Sequence, residues 1–200
     1  MKVIGLTGSI GSGKSTVSNI LAKKNISIID ADKISREILN KGNTLQEIFD
    51  CFGDEIKNSD GSLNRKKLGN IVFSDESKLV KLNSITHPKI KEEIKDKINF
   101  YKNKGEKIII LDAPLLIEAN LIDMVDLILL IVCSEEIQIK RIMSRDNISR
   151  QEAILRINAQ MSVDEKKKYA DYIIDNSYTV DELKIEIEKF LDSLEDVKIE

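Results

Sequence analysis

The chain has 200 residues, enough for one α/β domain with a substantial buried core but short for two large ones. Apolar residues make up 42% and charged residues 32%, which excludes a disordered chain, and no apolar run approaches the roughly 18 residues that span a bilayer. A net charge of −3 argues against a general nucleic-acid binder, and two isolated cysteines with one histidine supply neither a disulfide scaffold nor a zinc site.

Met1–Leu6 runs straight into a strand-like pattern, with no basic leader and no cleavage site, so a cytoplasmic protein is expected. Lys2–Thr7 (KVIGLT) reads as a buried strand and Lys14–Lys24 as the helix after it. Ser27–Asp30 reads as a second strand, followed by a helix over Lys33–Leu39. From Thr44 to Lys104 strand signals are weak, and the pattern predicts several helices broken at Asp60-Gly61 and His87-Pro88. Strands return at Lys107–Asp112 (KIIILD), Leu127–Cys133 (LILLIVC) and Tyr172–Asp175. Such continuous apolar runs suit a parallel sheet covered on both faces.

Thr44 with Glu47, Ser149 with Glu152 and Thr179 with Glu182 have capping-box spacing and mark helix starts. Arg141–Lys168 is helical, rich in Arg and Lys and poor in large apolar residues, the pattern of a mobile flap. Val180–Leu194 carries an apolar stripe at Leu183, Ile187, Phe190 and Leu194, suited to packing on the sheet or to an oligomer interface. The expected architecture is therefore α/β, with three layers, a mostly five-stranded parallel sheet, a helical insertion and a helical lid. One domain is expected, with its core in about 1–31, 105–140 and 169–200, the insertion in about 32–104 and the lid in about 141–168.

Residues 8–15, GSIGSGKS, fit G-x-x-x-x-G-K-[ST], with Thr16 next, between a strand and a helix as that phosphate-binding loop requires. Gly8, Gly11 and Gly13 permit backbone angles that turn successive amides inward, and the helix N-terminus adds a positive field. Ser12 and Thr16 lie in the same cradle. Lys14 can reach the β- and γ-phosphates, and the Ser15 hydroxyl can ligate Mg²⁺. A nucleoside triphosphate is the expected ligand.

Asp30 and Asp32 follow the second strand, at the sheet edge where open α/β folds place ligands. Asp32 can accept or orient the proton of an attacking hydroxyl, or cap a helix. Asp112 ends an hhhhD run of the Walker B type and suits Mg²⁺ held through water, or a strand-end turn. Arg141 and Arg145 lie four apart on one helical face, with Arg150 and Arg156 beyond; they read as transition-state cations or as a solvated basic face. His87, before Pro88, has no neighbour that makes it a nucleophile or metal ligand.

These segments together resemble the dephospho-coenzyme A kinase family. The matching pieces are GLTGSIGSGKSTV (5–17), IIDADKISRE (28–37), LNRKKLGNIVF (63–73), LNSITHPKI (82–90), DAPLLIE (112–118), QIKRIMSRD (138–146), RINAQMS (156–162) and ADYIIDN (170–176). The resemblance implies ATP-dependent phosphorylation of the ribose 3′-hydroxyl of dephospho-CoA. Mg²⁺ is the expected ion, no nucleic-acid or membrane partner is expected, and the expected state is a monomer or weak homo-oligomer. It implies that Asp32 engages the acceptor hydroxyl while Lys14 and Arg141 stabilise the phosphoryl group. Arg65, His87 and Glu118 would lie near dephospho-CoA, Arg145 at the nucleotide and Asn176 near the adenine. Ser9 stands where the family usually has a second glycine.

Another small-molecule kinase of the same loop class, acting on a nucleoside monophosphate or a metabolite such as shikimate, is the nearest rival reading. A GTPase switch would need D-x-x-G and N-K-x-D motifs, and Asp112 is followed by Ala-Pro-Leu with no N-K-x-D in the chain. A scaffold without catalysis fits poorly with Lys14, Ser15, Asp32 and the paired arginines together.

Overall fold

The computed structural model describes residues 1–196, and side chains through Leu194. In chain order, β1 (Lys2–Gly8) leads to α1 (Lys14–Lys23) and β2 (Ser27–Asp30). Four helices follow: α2 (Ala31–Ile38), α3 (Gly42–Phe52), α4 (Arg65–Phe73) and α5 (Glu76–Asn103). Next come β3 (Ile108–Asp112), β4 (Leu127–Val132), α6 (Glu135–Asp146), α7 (Arg150–Asn158), α8 (Val163–Lys167), β5 (Tyr172–Asp175) and α9 (Val180–Asp196). Met1–Ile29 and the chain from Tyr101 onward form one compact unit, and Asp30–Phe100 forms a second.

The first unit carries the sheet, in the order β2-β3-β1-β4-β5, with β1 parallel to β3 and β4, and β4 parallel to β5. Side chains of the central strands are buried almost without a break and alternate between two covered faces. Ile4, Leu6, Ile110, Leu129, Ile131 and Ile174 enter one apolar layer against Val17 and Leu21 of α1. Gly5 and Thr7 turn instead to the 113–118 segment, where a Cβ at Gly5 would lie 2.6 Å from Leu116. The stripe on α9 completes the first layer, with Leu183, Ile187, Phe190 and Leu194 all buried. Full burial of each such side chain contributes about 1.5–3 kcal/mol. Of the two roles open to this stripe, packing on the sheet is the one observed. The register sets Leu6 of β1 opposite Asp112 of β3, so the loop leaves the sheet beside that carboxylate.

The second unit is helical, as expected, and has its own core of Ile48, Phe49, Ile56, Leu63, Leu68 and Val72, with Leu79, Leu82 and Ile85 of α5 against it. Lys41–Glu93 at 2.5 Å and Lys89–Glu47 at 2.7 Å join α3 to α5. The expected turn at Asp60-Gly61 is present, with Gly61 at φ 81° and the Asp60 carboxylate accepting from Ser62.

Two local expectations fail in this unit. His87-Pro88 does not break a helix, because α5 continues through Pro88. An interior proline forfeits a backbone bond and costs about 3 kcal/mol. Packing of Leu79, Leu82 and Ile85 before it and burial of Ile94 after it outweigh that loss. Thr44 does not cap α3 either: the helix begins at Gly42 after Lys41, Thr44 is buried, and Glu47 is taken by Lys89. The boxes at Ser149 with Glu152 and Thr179 with Glu182 form, and a further one, Ser162 with Glu165, opens α8.

Candidate active site

The 8–15 loop rises from the end of β1 and closes onto α1. Gly11 (φ 79°) and Gly13 (φ 87°) adopt the left-handed conformation that glycine tolerates. Gly8 does not, contrary to the expectation; it is glycine because a Cβ there would sit 2.6 Å from the Ser12 hydroxyl and 2.7 Å from the Ile131 carbonyl. Gly13 begins α1 with no side-chain cap. The first amides of a helix have no carbonyl in a preceding turn, so this end is open to an anionic ligand. The Ser9 and Ser12 hydroxyls are buried without a hydrogen-bond partner among the described residues. Buried hydroxyls are normally satisfied, so these two fit a loop shaped for phosphate oxygens.

Side chains from distant segments brace the loop from outside. The Ile10 amide donates to Gln160 Oε1 at 2.7 Å, and the Ile10 carbonyl accepts from Gln138 Nε2 at 2.5 Å. Arg141 donates to the carbonyls of Ser12 (3.2 Å), Gly11 (3.5 Å) and Asn176 (2.9 Å). The Asn176 side-chain amide donates to the Ser12 carbonyl at 2.8 Å. Arg141 and Asn176 thus meet at one side of the loop, and Asn176 serves as a strut for its backbone. Cys133 lies at the same side, its thiol 3.7 Å from the Gly11 carbonyl, and burial pushes its pKa up despite the nearby Arg141 guanidinium.

Lys14 is ion-paired with Asp112, which is 8% exposed at the end of β3. Ser15 is exposed in the first turn of α1, and the Thr16 amide closes that turn on the Gly13 carbonyl at 2.9 Å. Ser15 and Asp112 offer a hydroxyl and a carboxylate, hard oxygen donors of the kind Mg²⁺ takes in ones and twos beside phosphate and water. Among the described residues no three His, Cys, Asp or Glu side chains gather into an all-protein metal cage.

The 141–168 segment is better packed than its composition suggested. Ile142 and Ala153 are buried together with Ile139 just before the segment, and Ile10 of the loop packs against them. Its arginines divide in role. Arg141 reaches the loop, whereas Arg145 grips Asp146 in a two-pronged bond of 2.7 and 2.9 Å, and Arg156 pairs with the same carboxylate. The Arg145 guanidinium therefore holds the Asp146 carboxyl below its ordinary range. Arg150 binds Glu136 at 2.8 Å. Glu118, expected near the acceptor, pairs at 2.7 Å with Lys166 of α8. Gln138, Gln160 and Lys166 were not singled out in the sequence, although Gln138 and Gln160 fall inside two of the resemblance segments.

In the helical unit, Asp30 is the N-cap of α2, accepting from the Lys33 amide at 2.8 Å. Asp32 is therefore not the cap; it lies exposed in the first turn of α2. Arg65 opens α4 and donates to the Arg36 carbonyl of α2 at 3.1 Å. His87 is half-buried in α5, and burial, aided by Lys91, pushes its pKa below the ordinary value of 6.5.

Against known proteins, the family model described as dephospho-CoA kinase matches residues 2–182. The dephospho-CoA kinase of Carboxydothermus hydrogenoformans is 48% identical over 94% of this chain and 91% of its own. That of Listeria innocua is 43% identical over 96% of both. Among solved structures, the dephospho-CoA kinase from Campylobacter jejuni superposes with a TM-score of 0.74 at 30% identity, covering 96% of each chain.

Proposed function

The chain belongs to the dephospho-CoA kinase family, and we infer from that premise that it transfers the γ-phosphoryl group of ATP to the ribose 3′-hydroxyl of dephospho-CoA, giving CoA and ADP. The observation that carries this reading is the family match across residues 2–182, which spans the loop, Asp32, Asp112 and Arg141. It also disfavours the rival acceptors, nucleoside monophosphate and shikimate.

The roles follow from charge and placement. The amides at the start of α1 and the Lys14 ammonium hold the phosphates, Lys14 exchanging Asp112 for phosphate oxygens as ATP enters. The Arg141 guanidinium stands at the loop and balances charge on the phosphoryl group in flight. Asp32 orients the acceptor hydroxyl and takes its proton, and the bond from acceptor oxygen to phosphorus forms as the bond from phosphorus to ADP breaks. Ser15 and Asp112 would hold Mg²⁺, which when bound draws charge from the phosphate oxygens. Arg65 and His87 are assigned to the acceptor side. Glu118 acts through Lys166 and the segment that carries it, and Asn176 and Arg145 support the nucleotide end. Most of the protein's work is positioning, because this transfer asks for little covalent chemistry from side chains.

We place the enzyme in the cytoplasm, which the two free cysteines support, as a monomer or weak homo-oligomer, which burial of the α9 stripe within the chain supports; the net charge of −3 supports the absence of a nucleic-acid partner. Among the described residues no helix is long and apolar enough to cross a membrane. A coupled ADP-release assay with MgATP tests the reaction, with dephospho-CoA beside AMP, CMP and shikimate as acceptors and CoA identified by mass spectrometry. Turnover with dephospho-CoA alone is expected; turnover only with another acceptor would overturn the assignment.

A further inference from the structure

Lys166 is fully buried, at 0% exposure, while its neighbours Glu165, Lys167 and Lys168 are exposed. Lysine is rarely interior, because an ammonium is costly to strip of water and an apolar side chain fills the same space without that cost. Its ammonium donates to Glu118 Oε1 at 2.7 Å and to the Pro114 carbonyl at 3.2 Å. The same carbonyl accepts from Thr7 Oγ1 at 3.1 Å, and Thr7 is fully buried. One carbonyl therefore joins three elements: β1 immediately before the loop, the segment immediately after Asp112, and α8. Pro114 is only two residues beyond Asp112, whose neighbour Ala113 is pinned to β1 through the Leu6 carbonyl at 3.0 Å.

We propose that Lys166 is a positioning residue for Asp112: by fixing the Pro114 carbonyl and Glu118, it sets the 113–118 segment and so the direction of the Asp112 carboxylate. The inference rests on the assignment of Asp112 to the metal ion that accompanies ATP. Groups that orient a metal-binding carboxylate typically change metal affinity about 10- to 100-fold when removed. A merely space-filling residue would not.

The test is the affinity of the full chain for a fluorescent ATP analogue, measured with Mg²⁺ and with EDTA. In Lys166→Met, affinity in EDTA should stay within about twofold, while the gain conferred by Mg²⁺ falls about tenfold. Lys166→Arg, which keeps the charge, should recover most of that gain. An undiminished gain in a Lys166→Met protein that unfolds cooperatively would overturn the proposal. Should Lys166→Met fail to fold, the double variant Lys166→Met, Glu118→Leu removes both charges and strands neither. There too a fall of about tenfold in the gain is expected, and an undiminished gain would overturn the proposal. No acceptor is present in this measurement, so a wrong acceptor would be exposed by the turnover assay and leave the binding result intact.

Discussion

Lys14 and Asp112, 98 residues apart in the chain, are ion-paired beside the loop, so the cation proposed for phosphate and the carboxylate proposed for metal neutralise each other. The pairing gives each charge a partner in a largely covered site where a lone charge would be costly. On the proposed roles, nucleotide binding is then an exchange.

Asp112→Asn should separate the two halves of that exchange. Lys14 loses its competitor, so ATP affinity measured in EDTA should hold or rise. The Mg²⁺ concentration for half-maximal activity should rise by about tenfold or more. Isothermal titration in EDTA and a Mg²⁺ titration of the rate check the two parts; a loss of EDTA affinity would contradict the exchange.

Asp32→Asn keeps size and hydrogen bonding but cannot take a proton. Turnover should fall by about 10²–10⁴-fold, the usual contribution of a positioned base. Asp30, not Asp32, caps α2, so the substitution leaves the helix cap in place. Steady-state kinetics with a thermal melt beside them decide this; a parallel loss of ATP affinity would assign Asp32 to the nucleotide.

Arg141→Lys retains the charge but cannot span the Gly11, Ser12 and Asn176 carbonyls together. We expect kcat to fall by at least about 10²-fold and the KM for ATP to rise as well, since the loop loses a brace. A fall in kcat with KM unchanged would confine Arg141 to the transition state.

The single histidine makes a clean pH probe. Burial is the main cause of the low His87 pKa. Protonation therefore favours the unfolded chain, and the contribution of neutral His87 to stability is complete above about pH 6.5 and declines as pH falls toward the folded value. An NMR titration of the imidazole should show a midpoint below 6.5, and His87→Gln should flatten the acid side of the stability curve. A midpoint above 6.5 would show that the ring meets a carboxylate instead.

Much of the sheet and the loop was legible because both have local signatures: apolar runs of strand length, and glycines, lysine and serine at fixed spacing. Asp32 and Arg141 were singled out on local context too, the end of a strand and a four-residue helical spacing. What escaped depends on tertiary partners. Nothing in the run from Glu165 to Lys168 says which lysine turns inward, and only Pro114 and Glu118, some fifty residues earlier, decide it. Arg145 and Arg141 share a helical face in sequence, yet Asp146 next in the chain captures one of them. Pro88 misled because its local cost is real but smaller than the burial on either side of it.

The grip of Gln160 on the amide and Gln138 on the carbonyl of Ile10 has a thermodynamic side. Fixing one residue's backbone costs about 1–2 kcal/mol in conformational entropy. Here that loss is incurred when the chain folds, before any nucleotide arrives. ATP then meets a cradle already in shape, and more of its contact energy remains available as affinity.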